Sequence, residues 1–191
     1  MRGLFNRVVW TLFFGGVTVS LIFTLIELQE RNSHIYQVKD EKTPSELNPA
    51  VEEGKQHLVN QAAEQGIDVV ITDGLRTKQE QDALYAQGRS AEGRIVTYAS
   101  GGESYHNYGL AIDFALRLDN GDVIWDRNHD GNDNGQSDWM EVVEIAKGLG
   151  FEWGGDWKSF KDYPHLQMDF GLSIRELQKG LRPKPKALAE E

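Results

Sequence analysis

Leu110-Ala-Ile-Asp-Phe-Ala-Leu116 alternates two faces, with Leu110, Ile112, Phe114 and Leu116 on one and Ala111, Asp113 and Ala115 on the other. Side chains along a strand point to opposite sides of its sheet, so this spacing predicts a β-strand with one large apolar face. The other face carries a carboxylate between two alanines. An unpaired buried carboxylate costs several kcal/mol, so Asp113 calls for a cation or strong donors beside it. Pro164-His-Leu-Gln-Met-Asp-Phe170 repeats the pattern: Leu166, Met168 and Phe170 on one side, His165, Gln167 and Asp169 on the other. If both strands lie in one antiparallel sheet, Asp113 and His165 project from the same face.

Working outward, the flanking segments read as helices and one more strand. Asn48 and Pro49 form an N-cap and first-turn pair, and Gly66 is a C-terminal stop, which predicts a helix over 49–65 with Leu58, Val59, Ala62 and Ala63 as its apolar stripe. His57 flanks that stripe as a surface or packing residue. Asp68–Thr72 has strand composition. Thr77 with Glu80 makes a capping box for a second helix that Gly88 ends. Arg76 therefore falls in a strand-to-helix turn, where side chains reach into clefts or simply face solvent. Asp138 with Glu141 predicts a helix from Trp139 to Leu149 stopped by Gly150, and Ser173 with Glu176 caps a last short helix. This succession describes an α+β domain, helices packed on a small antiparallel sheet.

The chemistry gathers in two stretches. His106 lies on the loop entering the Asp113 strand, and His165 completes a set of two imidazoles and one carboxylate. Three protein ligands leave a fourth zinc position open for water. The same histidines can instead be hydrogen-bonded core residues. Asp162 precedes His165 by three residues, and Pro164 holds Tyr163 extended. Asp162 can thus stand beside a metal without binding it, placed to move a proton.

The pattern S-x-H-x-x-G-x-A-x-D over Ser104–Asp113, with W-G-G-D-W over Trp153–Trp157 and D-x-P-H over Asp162–His165, resembles the VanY-like zinc peptidases. That family includes D-alanyl-D-alanine carboxypeptidases and the L-alanyl-D-glutamate peptidases of bacterial cell walls and phage endolysins. The resemblance spans roughly Val51 to Leu181. It implies His106, Asp113 and His165 as zinc ligands, Asp162 as general base, and Arg76 as the arginine that steadies the oxyanion. The aspartate before Pro-His resembles the L-alanyl-D-glutamate branch. The implied substrate is the stem peptide of peptidoglycan. A D-alanyl-D-alanine carboxypeptidase of the same fold and a non-catalytic wall-binding module are the alternatives.

Asp126–Ser137 begins like a calcium loop, D-x-N-x-D-G, but position twelve is Ser137 where such a loop needs a bidentate glutamate. It reads either as a Ca2+ site or as an Asx-rich turn held by its own side chains. His129 is then a loop residue.

Composition sets the remaining bounds. The chain has 191 residues, 30 acidic against 20 basic, for a net charge of -10. With a pI near 5.0 this disfavours broad binding to nucleic acid. Without cysteine there is no disulfide framework, thiolate metal site or cysteine nucleophile. Val8–Ile26 carries no charge over 19 residues, close to the thickness of a bilayer when helical. Arg2 and Arg7 before it and Glu27 and Glu30 after it predict a single-pass anchor with the remainder outside the cell membrane. A cleaved signal peptide is the competing reading. The expected organisation is a cytoplasmic 1–7, an anchor at 8–26, a polar linker at 27–48, the peptidase domain at 49–181 and a tail at 182–191.

Overall fold

The computed structural model describes residues 35–37 and 44–184. The strands are β1 (Ile35–Gln37), β2 (Val69–Asp73), β3 (Ala111–Arg117), β4 (Val123–Ile124), β5 (Glu152–Trp153), β6 (His165–Gln167) and β7 (Leu181–Pro183). The helices are α1 (Pro49–Glu64), α2 (Lys78–Ala86), α3 (Asp138–Gly148) and α4 (Ile174–Gln178), with short 3-10 turns at Tyr105–Tyr108 and Gly154–Asp156. The predicted anchor at 8–26 lies outside the described residues. Among the described residues, no helix is long and apolar enough to cross a membrane.

An antiparallel sheet of order β2-β3-β6-β5 organises the domain, with β4 pairing the far end of β3. The alternation along β3 is realised. Ile112, Phe114 and Leu116, joined by Leu166 of β6, enter one core with Val51, Leu58 and Ala62 of α1 and Trp139, Val142, Val143 and Ala146 of α3. Phe114 and Trp139 meet with ring centroids 4.4 Å apart. Truncating either ring to alanine would cost about 3–5 kcal/mol. The opposite face of β3 and β6 carries Asp113, His165 and Gln167. One face of the sheet is thus apolar and packed against helices, and the other carries polar side chains.

Helix boundaries follow the caps. Asn48 Oδ1 accepts from the Ala50 N–H at 3.0 Å, and Thr77 and Glu80 form the reciprocal box at the start of α2. Ser173 and Glu176 do the same for α4.

Several expectations are corrected. Ser137, not Asp138, caps α3: its hydroxyl accepts from the Met140 N–H, while buried Asp138 turns back to accept the Gly131 N–H at 3.0 Å. Leu110 precedes β3 and packs in a second cluster with Tyr108, Leu172 and Leu177. β6 ends at Gln167, short of the predicted 164–170. Asp169 accepts the Gly171 N–H at 2.7 Å and Phe170 adopts φ 53°, so the chain turns and leaves Phe170 partly exposed. Within the stretch read as a polar linker, Ile35–Gln37 form β1, which pairs antiparallel with β7. Three-residue strands are too short to show a period in sequence.

The Asp126–Ser137 loop is the Asx-rich turn, and calcium has no support there. Asp126 accepts the Asn128 N–H, Asp130 accepts those of Asn134 and Gly135, and Asn134 accepts that of Gln136. The carboxylates of Asp126 and Asp130 are directed at the loop's own backbone, and the side-chain amides of Asn132 and Asn134 tie it to Glu141 of α3.

Candidate metal centre

The register of β3 against β6 makes Asp113 and His165 direct partners, as the paired alternation predicted. His106 reaches them from the 3-10 turn that precedes β3. Ser104 caps that turn, and Gly109 closes it in the left-handed region at φ 67°, where a Cβ would also press on the Glu46 carbonyl. Asn107, fully buried, locks the turn to its neighbour by donating to the Arg76 carbonyl at 2.9 Å, while the Arg76 N–H donates to the His106 carbonyl at 3.1 Å. Asn107 was not singled out from the sequence, since an asparagine in a loop carries no signal of its own.

Three atoms converge. His106 Nε2 lies 3.1 Å from His165 Nδ1, and each lies 3.3 Å from Asp113 Oδ1. Among the described residues this is the one group of metal-type ligands so arranged. Outside the triangle, His106 Nδ1 is 2.7 Å from the Gly74 carbonyl, and His165 Nε2 is 3.0 Å from Gln167 Oε1. Both outer partners are acceptors, so the outer nitrogens carry the protons and both inner nitrogens present lone pairs. Asp113 Oδ1 is buried with no hydrogen-bond donor. Three acceptors facing one another require a cation among them. Donors around a tetrahedral zinc at about 2.0–2.1 Å stand about 3.3–3.4 Å apart. The observed edges fit that ion.

The electrostatics agree. Burial alone would raise the Asp113 pKa, but the two imidazoles facing it at 3.3 Å hold it far below the ordinary carboxylate range. Burial would lower that of His165, yet the Asp113 carboxylate outweighs it and the imidazole holds its proton to a higher pH than usual. Either a proton or a metal cation satisfies the triangle.

Asp162 is not part of it. Its carboxyl is pushed upward by burial and by the charge of Asp113. The W-G-G-D-W stretch explains its place. A side chain on Gly154 would collide with the Asp162 carbonyl, and the Asp162 N–H donates to the Gly154 carbonyl at 3.2 Å. The Trp157 ring lies tilted against that of His165, with centroids 5.1 Å apart.

Arg76 stands in the turn after β2, as expected, and its side chain is largely buried at the cleft wall. It pairs with Asp73 at 2.5 Å, donates to Gln81 Oε1 at 2.7 Å, and lies 3.6 Å from Asp113. Arg76, Asp162 and the triangle all line one cleft of about 610 Å3, together with Tyr98, Tyr105, Trp157 and Phe160. Burial and the charges of Asp169, Glu152 and Glu176 push the Tyr105 phenol up to about 12, and it donates to the Leu172 carbonyl, so it stays protonated at neutral pH. Of the other carboxylates lining the cleft, Asp73 pairs with Arg76, Asp113 belongs to the triangle and Glu103 accepts from the Ser100 hydroxyl.

The chain matches known peptidases of the bacterial cell wall. A family described as D-alanyl-D-alanine carboxypeptidase matches residues 97–168, the stretch from the cleft wall to β6. The chain is 59% identical over 150 residues to the peptidoglycan L-alanyl-D-glutamate endopeptidase CwlK of Bacillus subtilis, covering 78% of this chain and 89% of that one. It is 37% identical over 113 residues to the L-alanyl-D-glutamate peptidase of Listeria phage A118, covering 59% of this chain and 34% of the phage protein. Among solved structures, the L,D-carboxypeptidase DacB of Streptococcus pneumoniae aligns at 20% identity with a TM-score of 0.48, covering 75% of this chain and 82% of that one.

Proposed function

The chain belongs to the VanY-like peptidase family, and from that premise we propose that it is a zinc-dependent peptidase cutting peptidoglycan stem peptides between L-alanine and D-glutamate. The single observation that carries the metal reading is the triangle of His106 Nε2, Asp113 Oδ1 and His165 Nδ1, with edges of 3.1–3.3 Å. The choice of bond rests on the 59% identity to an L-alanyl-D-glutamate endopeptidase over most of both chains.

When bound, zinc supplies the Lewis acidity that polarises a peptide carbonyl and acidifies water. The roles of the residues then follow from their places. His106, Asp113 and His165 hold the metal. Asp162, beside them but outside the triangle, accepts a proton from the attacking water and returns it to the departing amine. Its raised pKa suits a group that must hold a proton between those two steps. Arg76, anchored by Asp73 and Gln81, presents positive charge to the oxyanion that develops in the cleft.

Chelation should abolish activity and zinc should restore it. His165→Ala should lose both metal and activity, because two protein ligands rarely retain zinc against a chelator. A chelated, zinc-free enzyme that still digests peptidoglycan would exclude the proposal. The uncharged run at Val8–Ile26 supports anchoring in the cell membrane, with the domain outside it and facing the wall.

A further inference from the structure

The sheet continues the metal site outward through two residues that play no part in the proposed chemistry. Gln167 follows His165 by two on β6, so both side chains share a face. Glu152 of β5 is the direct register partner of Gln167 on one side, and Ala111 of β3 is its partner on the other. Ala111 is small and fully buried, which leaves room for the longer amide beside it. His165 Nε2–H donates to Gln167 Oε1 at 3.0 Å, and Gln167 Nε2–H donates to Glu152 Oε2 at 3.1 Å.

Resting on the zinc reading above, we propose that Gln167 and Glu152 form a positioning relay that sets the zinc affinity of the site by fixing which nitrogen of His165 faces the metal.

The reasoning is geometric. An imidazole entering a metal site must present an unprotonated nitrogen, and the acceptor on its other nitrogen selects that tautomer and holds the ring plane. His106 takes a backbone acceptor, the Gly74 carbonyl, and turns Nε2 inward. His165 has a side chain in that role and turns Nδ1 inward. An amide has two ends and can flip, and a flipped Gln167 would put its NH2 against the His165 N–H and its oxygen against a carboxylate. Glu152 makes that orientation doubly unfavourable. Gln167 is 4% exposed and so has little access to water as a substitute partner. Glu152 itself lies exposed at the sheet edge, where its charge needs no further partner.

The relay can be broken and then rebuilt with its polarity reversed. Gln167→Met keeps the length of the side chain and removes the acceptor. Its zinc affinity, measured by chelator competition, should fall about 10- to 100-fold, and the metal-free protein should also melt somewhat lower, because the buried His165 N–H loses its acceptor. Gln167→Glu retains an acceptor but sets two carboxylates side by side. Combined with Glu152→Gln, it gives a carboxylate that accepts from both His165 and the new amide, so the double variant should bind zinc far more tightly than Gln167→Met. Wild-type affinity in Gln167→Met, or a double variant no tighter than Gln167→Met, would overturn the relay while leaving the zinc reading intact. A wild-type protein that takes up no zinc would overturn both.

Discussion

Asp73 and Asp113 are register partners across β2 and β3, where a bulge after Ile71 brings the two carboxylates opposite each other. Like charges directly opposed destabilise a sheet. Arg76 resolves the conflict by pairing with both, and the same contacts aim its guanidinium at the cleft.

This dual role separates stability from chemistry at one residue. Arg76→Met should lower the melting temperature by leaving Asp73 and Asp113 unneutralised, and should slow turnover about 10²- to 10³-fold through loss of the oxyanion partner. Adding Asp73→Asn should recover the melting temperature and leave turnover slow. Thermal scans and digestion rates of the single and double variants check this. Recovery of both properties would reduce Arg76 to a structural counter-ion.

The proton held by His165 should appear in the metal-binding equilibrium. Its pKa in the metal-free fold lies above that of an ordinary imidazole, so the stability it contributes is complete below about pH 6.5 and disappears as pH rises through the raised value. Zinc must displace that proton. Calorimetric titration in buffers of different ionisation enthalpy should show proton release at pH 6–7 that vanishes at higher pH, with zinc affinity rising over the same range. Proton release independent of pH would contradict the assignment.

Asp162 should behave as a base that the fold tolerates at a cost. With its folded pKa raised by burial and by Asp113, the carboxylate disfavours the native state once pH exceeds the ordinary carboxylate range. Asp162→Asn should therefore raise the melting temperature of the metal-free protein at neutral pH, with the gain vanishing near pH 3. Zinc content should be unchanged and turnover should fall about 10²- to 10⁴-fold. Loss of zinc from this variant, by elemental analysis, would make Asp162 a ligand instead.

How far the sequence reaches is plain from individual residues. The two-residue period that separates Ile112, Phe114 and Leu116 from Asp113 also placed Asp113 and His165 on one face, and pairing of β3 with β6 did the rest. Capping boxes at Thr77 and Ser173 are local hydrogen-bond patterns and were legible for that reason. Asp138 misled because its side chain serves Gly131, seven residues away, leaving Ser137 to cap α3. Gln167, Asn107 and the Gly74 carbonyl were invisible as site residues, since their roles depend on partners brought together only by the fold.

The span at Val8–Ile26 predicts a specific topology. If the proposed anchor is right, with Arg2 and Arg7 on the cytoplasmic side, protease added to intact cells should release a fragment of about the size of the folded domain. Protection of the domain until the cells are lysed would place it on the other side of the membrane.

The central claim is tested most directly by mass spectrometry of muropeptides after digestion with the zinc-loaded enzyme. Cleavage between L-alanine and D-glutamate should yield peptides with a new amino-terminal D-glutamate and glycan fragments that retain L-alanine alone. Removal of the terminal D-alanine with the L-alanyl-D-glutamate bond intact would contradict it and make the protein a carboxypeptidase.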